Sequence, residues 1–188
     1  MKLLRMEKVR NGKYLKNYEL TYLNKAGREK TFELVSRKDL SSPKELGAKP
    51  SGISIIAYQE EKLLLLKEFR MSINKSIFNL CAGMLEEGET VEECIRRELY
   101  EETGLEVKRI ISLLPPSYSA VGFSDTTTYI AFVETMGKLS DHSSENELIQ
   151  PFFFSREELK DIMEKEEFSS RSQLAAWFFI NGSPQKAE

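Results

Sequence analysis

GMLEEGETVEECIRRELYEETGL, residues 83–105, sets three glutamates, Glu98, Glu101 and Glu102, within two turns of one helix. Residues three and four apart are neighbours on a helix, so Glu98 faces both of the others, at about a few tenths of a kcal/mol of repulsion per pair. The helix is well marked at both ends. Thr90 followed by Glu93 makes a capping box, Glu92 and Glu93 sit well against the positive end of the dipole, and Gly104 suits the left-handed residue that ends a helix. The element is therefore expected from about Val91 to Thr103.

At ~100° per residue, Val91 and Ile95 fall at about 0° and 40°, and Glu98 and Glu102 at about −20° and +20°. The apolar stripe runs straight into two carboxylates. Leu99 lies at its edge and Glu101 near about −80°, whereas Glu93, Arg96, Arg97 and Tyr100 occupy the opposite half. A carboxylate facing the core without a partner is costly and tends to protonate. A solvated run of charge accounts for Glu92 and Glu93 but not for Glu98 and Glu102. A hard divalent cation, Mg²⁺ or Mn²⁺, does, because it prefers clustered oxygens and cancels their repulsion. Arg97, one turn before Glu101, is placed to hold that carboxylate.

The 188 residues suit one domain of ordinary size or one domain with an extension, and a chain 40% hydrophobic and 30% charged is globular rather than disordered. A formal net charge of −3 argues against a grip on nucleic acid, so small-molecule partners are expected. The first ten residues, MKLLRMEKVR, are too charged for a signal peptide, no run is long and apolar enough to span a membrane, and two cysteines are too few for a disulfide framework. A reduced, cytoplasmic setting is the expectation.

Along the chain, Tyr14 to Val35 reads as one antiparallel hairpin turning at NKAG, and the polar 38–50 segment, with Pro43 and Pro50, reads as a linker. ISIIAY, LLLLKEF, IFNLCAG, TTTYIAFVE and LIQPFFF read as strands or short apolar stretches, and SREELKDIMEK and RSQLAAWFFI as amphipathic helices. The expected domains are 1–48, antiparallel strands and linker; 49–181, the main domain; and 182–188, a frayed tail.

From Gly83 the sequence matches, at every fixed position, G-x5-E-x7-R-E-U-x-E-E-x-G-U, with U a bulky apolar residue, and so resembles the Nudix box. KEFR (67–70), FNLCAGMLEEGE (78–89), SENELI (144–149) and the closing helical segment are similar to the ADP-ribose pyrophosphatase branch of that superfamily. The resemblance implies an α/β/α sandwich with a mixed sheet, an added small N-terminal antiparallel sheet, and a homodimer formed through it. It implies metal-dependent hydrolysis of ADP-ribose or another nucleotide sugar to a nucleoside monophosphate and a sugar phosphate. Another nucleoside diphosphate derivative, such as a dinucleotide or an oxidised nucleoside triphosphate, and a non-catalytic sensor on the same fold, are the alternatives.

By the same resemblance the metal ligands are the Ala82 carbonyl and the carboxylates of Glu98, Glu101 and Glu102, with Arg97 supporting Glu101. Arg70 would contact the diphosphate and Arg37 the base, and Gly83 belongs with the substrate-binding residues. The general base falls to the loop acids, Glu145 first and Glu147 second, with Glu101 or Asp125 next. Three departures bear on substrate: SAVGFSDT has Val121 and Thr126 where the branch often has proline and glutamate; Asn79 and Cys81 stand in its E-x-P-A-G segment; and the 38–50 loop is long. His142 and Cys94 are expected to be an exposed residue and a core residue, and Met84 to pack.

Overall fold

A computed structural model of the chain describes residues 1–142 and 144–182. The tail expected to fray lies, from residue 183 on, outside the described residues. By compactness the chain divides into two units, Met1–Ser51 with Pro116–Thr128, and Gly52–Pro115 with the chain from Tyr129 onward.

The first unit holds a three-stranded antiparallel sheet of β1 (Lys2–Asn11), β2 (Lys16–Leu23) and β3 (Glu29–Ser36), in that order. Tyr18 and Leu20, two apart on β2, share one face and bury with Leu34 and Leu40. The single expected hairpin is therefore two of three strands. β1 shows no alternation because nearly all of it is exposed. The 38–50 segment carries a 3₁₀ turn, Pro43–Glu45, capped by Ser42, and the Gly47 amide donates to Asp125 at 3.3 Å.

The larger sheet has seven strands: β4 (Gly52–Gln59), β5 (Lys62–Arg70), β6 (Lys75–Asn79), β7 (Cys81–Met84), β8 (Glu106–Tyr118), β9 (Thr127–Met136) and β10 (Ile149–Phe154). The order is β10-β5-β4-β9-β8, with β6 on β5 and β7 on β4. Helix α1 (Val91–Thr103) packs on one face. α2 (Arg156–Lys165) and α3 (Ser170–Asn181) pack on the other.

The strand sequences require that arrangement. Leu63, Leu64, Leu65 and Leu66 are all buried, and alternate leucines face opposite layers. Leu64 and Leu66 join Cys94, Ile95 and Leu99 of α1, whereas Leu63 and Leu65 join Leu159, Ala176 and Phe179 of α2 and α3. A strand apolar on both faces needs cover on both. The expected α/β sandwich with a mixed sheet and an added small antiparallel sheet is the observed fold. No helix among the described residues is long and apolar enough to cross a membrane.

Candidate active site

α1 starts and stops where its sequence dictates. The Thr90 hydroxyl accepts the Glu93 amide, Glu93 accepts the Thr90 amide at 2.8 Å, and Gly104 closes the helix at φ 73°. With its ends fixed, the helix aims Glu98 and Glu102 at β7. Gly83 leaves the space that the Glu98 carboxylate fills, since a Cβ there would lie 1.7 Å from the Glu98 Cδ. Gly83 thus enters the site as the neighbour that lets Glu98 in.

Glu98 is 9% exposed, and burial pushes its carboxyl above the usual range against the pull of the Arg97 guanidinium beside it. Glu102 as a whole is only half-buried, but its carboxylate end is tucked under β7, where the Ala82 amide donates to it at 3.1 Å. Burial pushes that carboxyl up to about 8, although the Cys81 thiol and the Ala82 amide donate to it. The Glu98 and Glu68 carboxylates add to the rise.

Arg97 is the hub. Its Nε and Nη2 grip the two oxygens of Glu89 at 2.7 and 2.9 Å, its Nη1 reaches Glu98 at 2.8 Å and Glu101 at 3.1 Å, and Nη2 also donates to the Met84 carbonyl at 3.0 Å. The guanidinium holds the Glu89 carboxyl down at about 2. The expected Arg97–Glu101 pair is present, and the bidentate partner, Glu89, was given no role on sequence grounds. Its signal was there, as the fixed acid six residues after Gly83 in the motif.

As the side chains stand, no three acidic, histidine or cysteine groups among the described residues converge on one metal-sized point. Arg97 draws Glu98 and Glu101 to itself, and Glu102 turns to the β7 amide. The donor set still fits a hard cation. The buried Glu98 and the half-buried Glu102, both with raised pKa values, and an exposed third, Glu101, are charges that an ion would compensate.

Beside this cluster, β5, the turn after it and the 146–149 segment line a cleft of about 260 Å³ that includes Glu68, Arg70, Asn146 and Glu147. Arg70 pairs with Glu68 across two positions of β5. Of the loop acids, Glu147 lines the cleft, and its carboxylate accepts both the amide and the hydroxyl of Ser144, at 3.3 and 2.9 Å. Glu145 stands exposed on the turn. The segment is turned rather than extended, so the two acids diverge.

Arg37 and Asp125 belong to the other compact unit, Arg37 exposed just beyond β3 and Asp125 buried. Cys94 is a core residue as expected, and His142 is exposed and stacks on Tyr100 at 4.6 Å between ring centres. Met84 does not pack as expected; its side chain is exposed while its backbone serves Arg97.

The NUDIX domain family model matches residues 48–178, and the chain belongs to that family. It is a Nudix pyrophosphohydrolase of the ADP-ribose pyrophosphatase-like kind, and hydrolases of this family use divalent metals. It is 28% identical over 130 residues to the ADP-ribose pyrophosphatase of Bacillus subtilis, covering 68% of this chain and 70% of that one. It is also 28% identical over 142 residues to the methanol dehydrogenase activator of Bacillus methanolicus, covering 73% and 76%. The crystal structure of an ADP compounds hydrolase shares the fold at a TM-score of 0.72 and 17% identity, over 95% of this chain and 91% of that one.

Proposed function

We propose that the chain hydrolyses the diphosphate linkage of ADP-ribose or a related nucleotide sugar, with Mg²⁺ or Mn²⁺, to a nucleoside monophosphate and a sugar phosphate. The observation that carries this reading is the adjacency of the acid cluster to a cleft with a cation in its wall. Glu68 lines that cleft, pairs with Arg70, and is near enough to Glu102 to raise its pKa. A diphosphate placed there would meet the Arg70 guanidinium, which lines the cleft.

Glu98, Glu101, Glu102 and the Ala82 carbonyl would hold the divalent ions, which neutralise diphosphate charge and acidify water when bound. Arg97 sets the resting positions of Glu98 and Glu101 and competes with the ions for them. Arg70 orients the diphosphate, with donors of its fork still available after pairing with Glu68. Glu145 accepts the proton of the attacking water; Glu147, engaged by Ser144, holds the loop beside the cleft.

We assign the molecule to a homodimer formed through the small sheet, supported by Leu4 and Val9, which β1 exposes at 44% and 61%. The two buried free cysteines suit a reduced, cytoplasmic setting.

The test is a panel of nucleotide sugars, dinucleotides and oxidised nucleoside triphosphates with Mg²⁺ or Mn²⁺, with both products identified. ADP-ribose or an ADP-sugar turned over best, giving AMP and a sugar phosphate, supports the proposal. Preference for a triphosphate, or tight binding with no products, overturns it.

A further inference from the structure

A chain of hydrogen bonds links Arg70 through Glu68 and Asn79 to the start of α3. Arg70 Nη1 donates to Glu68 Oε1, and Asn79 Nδ2 donates to the other oxygen, Oε2, at 2.9 Å. Asn79 Oδ1 in turn accepts the Ser169 hydroxyl at 2.8 Å and the Leu80 amide at 3.0 Å. Ser169 is the cap of α3, and its amide donates to the Phe78 carbonyl at 2.9 Å. The strand register explains the meeting: Leu66 pairs with Asn79 and Glu68 with Ile77, so Glu68 and Asn79 are diagonal neighbours on β5 and β6.

We infer that Glu68 is a positioning residue for Arg70, and that Asn79 fixes Glu68 to the start of α3 so that the Arg70 guanidinium is presented to a diphosphate in one orientation. This rests on the assignment of Arg70 under the proposed function. Three observations support it. The Glu68 side chain is 15% exposed and that of Arg70 is 47% exposed, so the carboxylate is the fixed end of the pair and the guanidinium the end that reaches the cleft. Both line the cleft. Residue 79 must donate on one side and accept on the other, which an amide does and a carboxylate cannot. An aspartate there would face Glu68 with like charge.

The alternative role for Glu68 is a competing anion, and the two roles predict opposite signs. If Glu68 merely neutralises Arg70, Glu68→Gln adds one positive charge to the cleft and binding of a diphosphate tightens. If Glu68 orients Arg70, the same change frees a long side chain and binding weakens.

Calorimetric binding of ADP, in the presence of Mg²⁺, reads the sign without turnover. Glu68→Gln and Asn79→Asp should each weaken ADP binding by roughly ten-fold, the scale of a misdirected substrate contact. Thermal midpoints should remain near wild type. With ADP-ribose, KM should rise by a similar factor and kcat change by less than about three-fold. On an Arg70→Ala background, Glu68→Gln should have less than about a two-fold effect, because its route of action is gone. Tighter ADP binding, no change, or an equal effect on both backgrounds overturns the inference while leaving the diphosphate reading intact. An Arg70→Ala variant that binds ADP as wild type does, or a wild type that does not bind it, overturns that reading and the inference together.

Discussion

Thr90 to Glu93 and Ser144 to Glu147 are the same local device in two places. In each, a hydroxyl residue and a glutamate three positions on exchange hydrogen bonds, with the glutamate accepting the amide of the first residue. At Thr90 the device opens a helix of 13 residues. At Ser144 it closes a single turn, after which the chain leaves for β10 at Ile149. The difference lies in the residues beyond each pair. Val91, Ile95 and Leu99 give the first segment an apolar stripe to pack on the sheet, whereas Leu148 is 61% exposed and Pro151 lies three residues further on. A cap satisfies a few amides; tertiary burial makes the helix. The first region therefore holds its carboxylates rigidly against β7, and the second offers Glu145 to solvent.

The largest expected effects lie in the rigid region. Glu98→Gln or Glu102→Gln should lower turnover by roughly 10²–10³-fold, the loss expected on removing a group that stabilises transition-state charge. Circular dichroism should show the fold intact, and the variants should be at least as stable as wild type in chelator, since a repulsive charge has gone. Near wild-type activity of either variant at saturating Mg²⁺ would remove these residues from the metal site.

In the turned loop, Glu145→Gln should lower kcat by roughly 10²-fold with little change in KM, as expected for losing a general base. Glu147→Gln should do less to kcat and more to the metal concentration needed for half-maximal rate. Ser144→Ala, which removes the hydroxyl donor to Glu147, should reproduce part of that second effect. Equal and small changes for Glu145 and Glu147 across pH would place the base elsewhere, with Glu101 and Asp125 next.

The contrast between the regions also explains what the sequence made legible. The limits of α1, the placing of Glu98 and Glu102 on its buried face, and the Arg97–Glu101 pair all follow from capping residues, a terminal glycine and the helical period, and all are present. β1 and β8 were not legible. β1 is an edge strand carrying Lys2, Arg5, Glu7, Lys8 and Arg10, charges that guard an open edge and erase alternation. β8 is the edge of the larger sheet, buries only Val107, and contains Pro115 and Pro116, which read as breakers yet are tolerated where a strand has a free side. Within the site, the grip of Arg97 on Glu89 and the Glu68–Asn79 link were hidden because the partners meet through a loop or across two strands.

A third test uses protons on the rigid region alone. Glu102 has an ordinary carboxyl pKa of 4.5 when unfolded and about 8 in the fold, so between these values the folded chain keeps a proton that the unfolded chain has released. Stability in chelator therefore falls as pH rises from about 4.5 to 8, and Glu98, also raised, acts in the same direction. Glu89 works oppositely at the acid end. Its carboxyl is held at about 2 by Arg97, so the stability it contributes is present above 4.5 and lost as pH falls toward 2. The thermal midpoint in chelator should decline on the alkaline side, and Mg²⁺, which binds the ionised carboxylates, should flatten that decline. Glu102→Gln should flatten it without metal. A wild-type midpoint that stays level from about pH 5 to 8 in chelator would contradict the burial of the Glu102 carboxylate.

The smallest expected effect compares the two caps directly. Thr90→Ala removes the hydroxyl that accepts the Glu93 amide at 3.3 Å and donates to the Glu93 carboxylate at 2.6 Å. The cost should be about 1 kcal/mol, which for a chain of this size lowers the thermal midpoint by roughly 2–4 °C. The loss registers globally because α1 is fastened to the core through Cys94, Ile95 and Leu99, so fraying its first turn strains the same unit that melts. Ser144→Ala removes one bond, the hydroxyl's donation to Glu147 at 2.9 Å, keeps the backbone bonds of the turn, and should leave the midpoint unchanged, because residues 144–148 are exposed and their opening exposes no core. Hydrogen exchange at Glu93 and Glu147 would read the two sites separately: Thr90→Ala, which removes the acceptor of the Glu93 amide, should accelerate the first, whereas Ser144→Ala should leave the second near wild type, because the Glu147 amide donates to the Ser144 carbonyl. Equal shifts in midpoint for the two variants would mean that the turn at Ser144 is as much a part of the folded unit as α1.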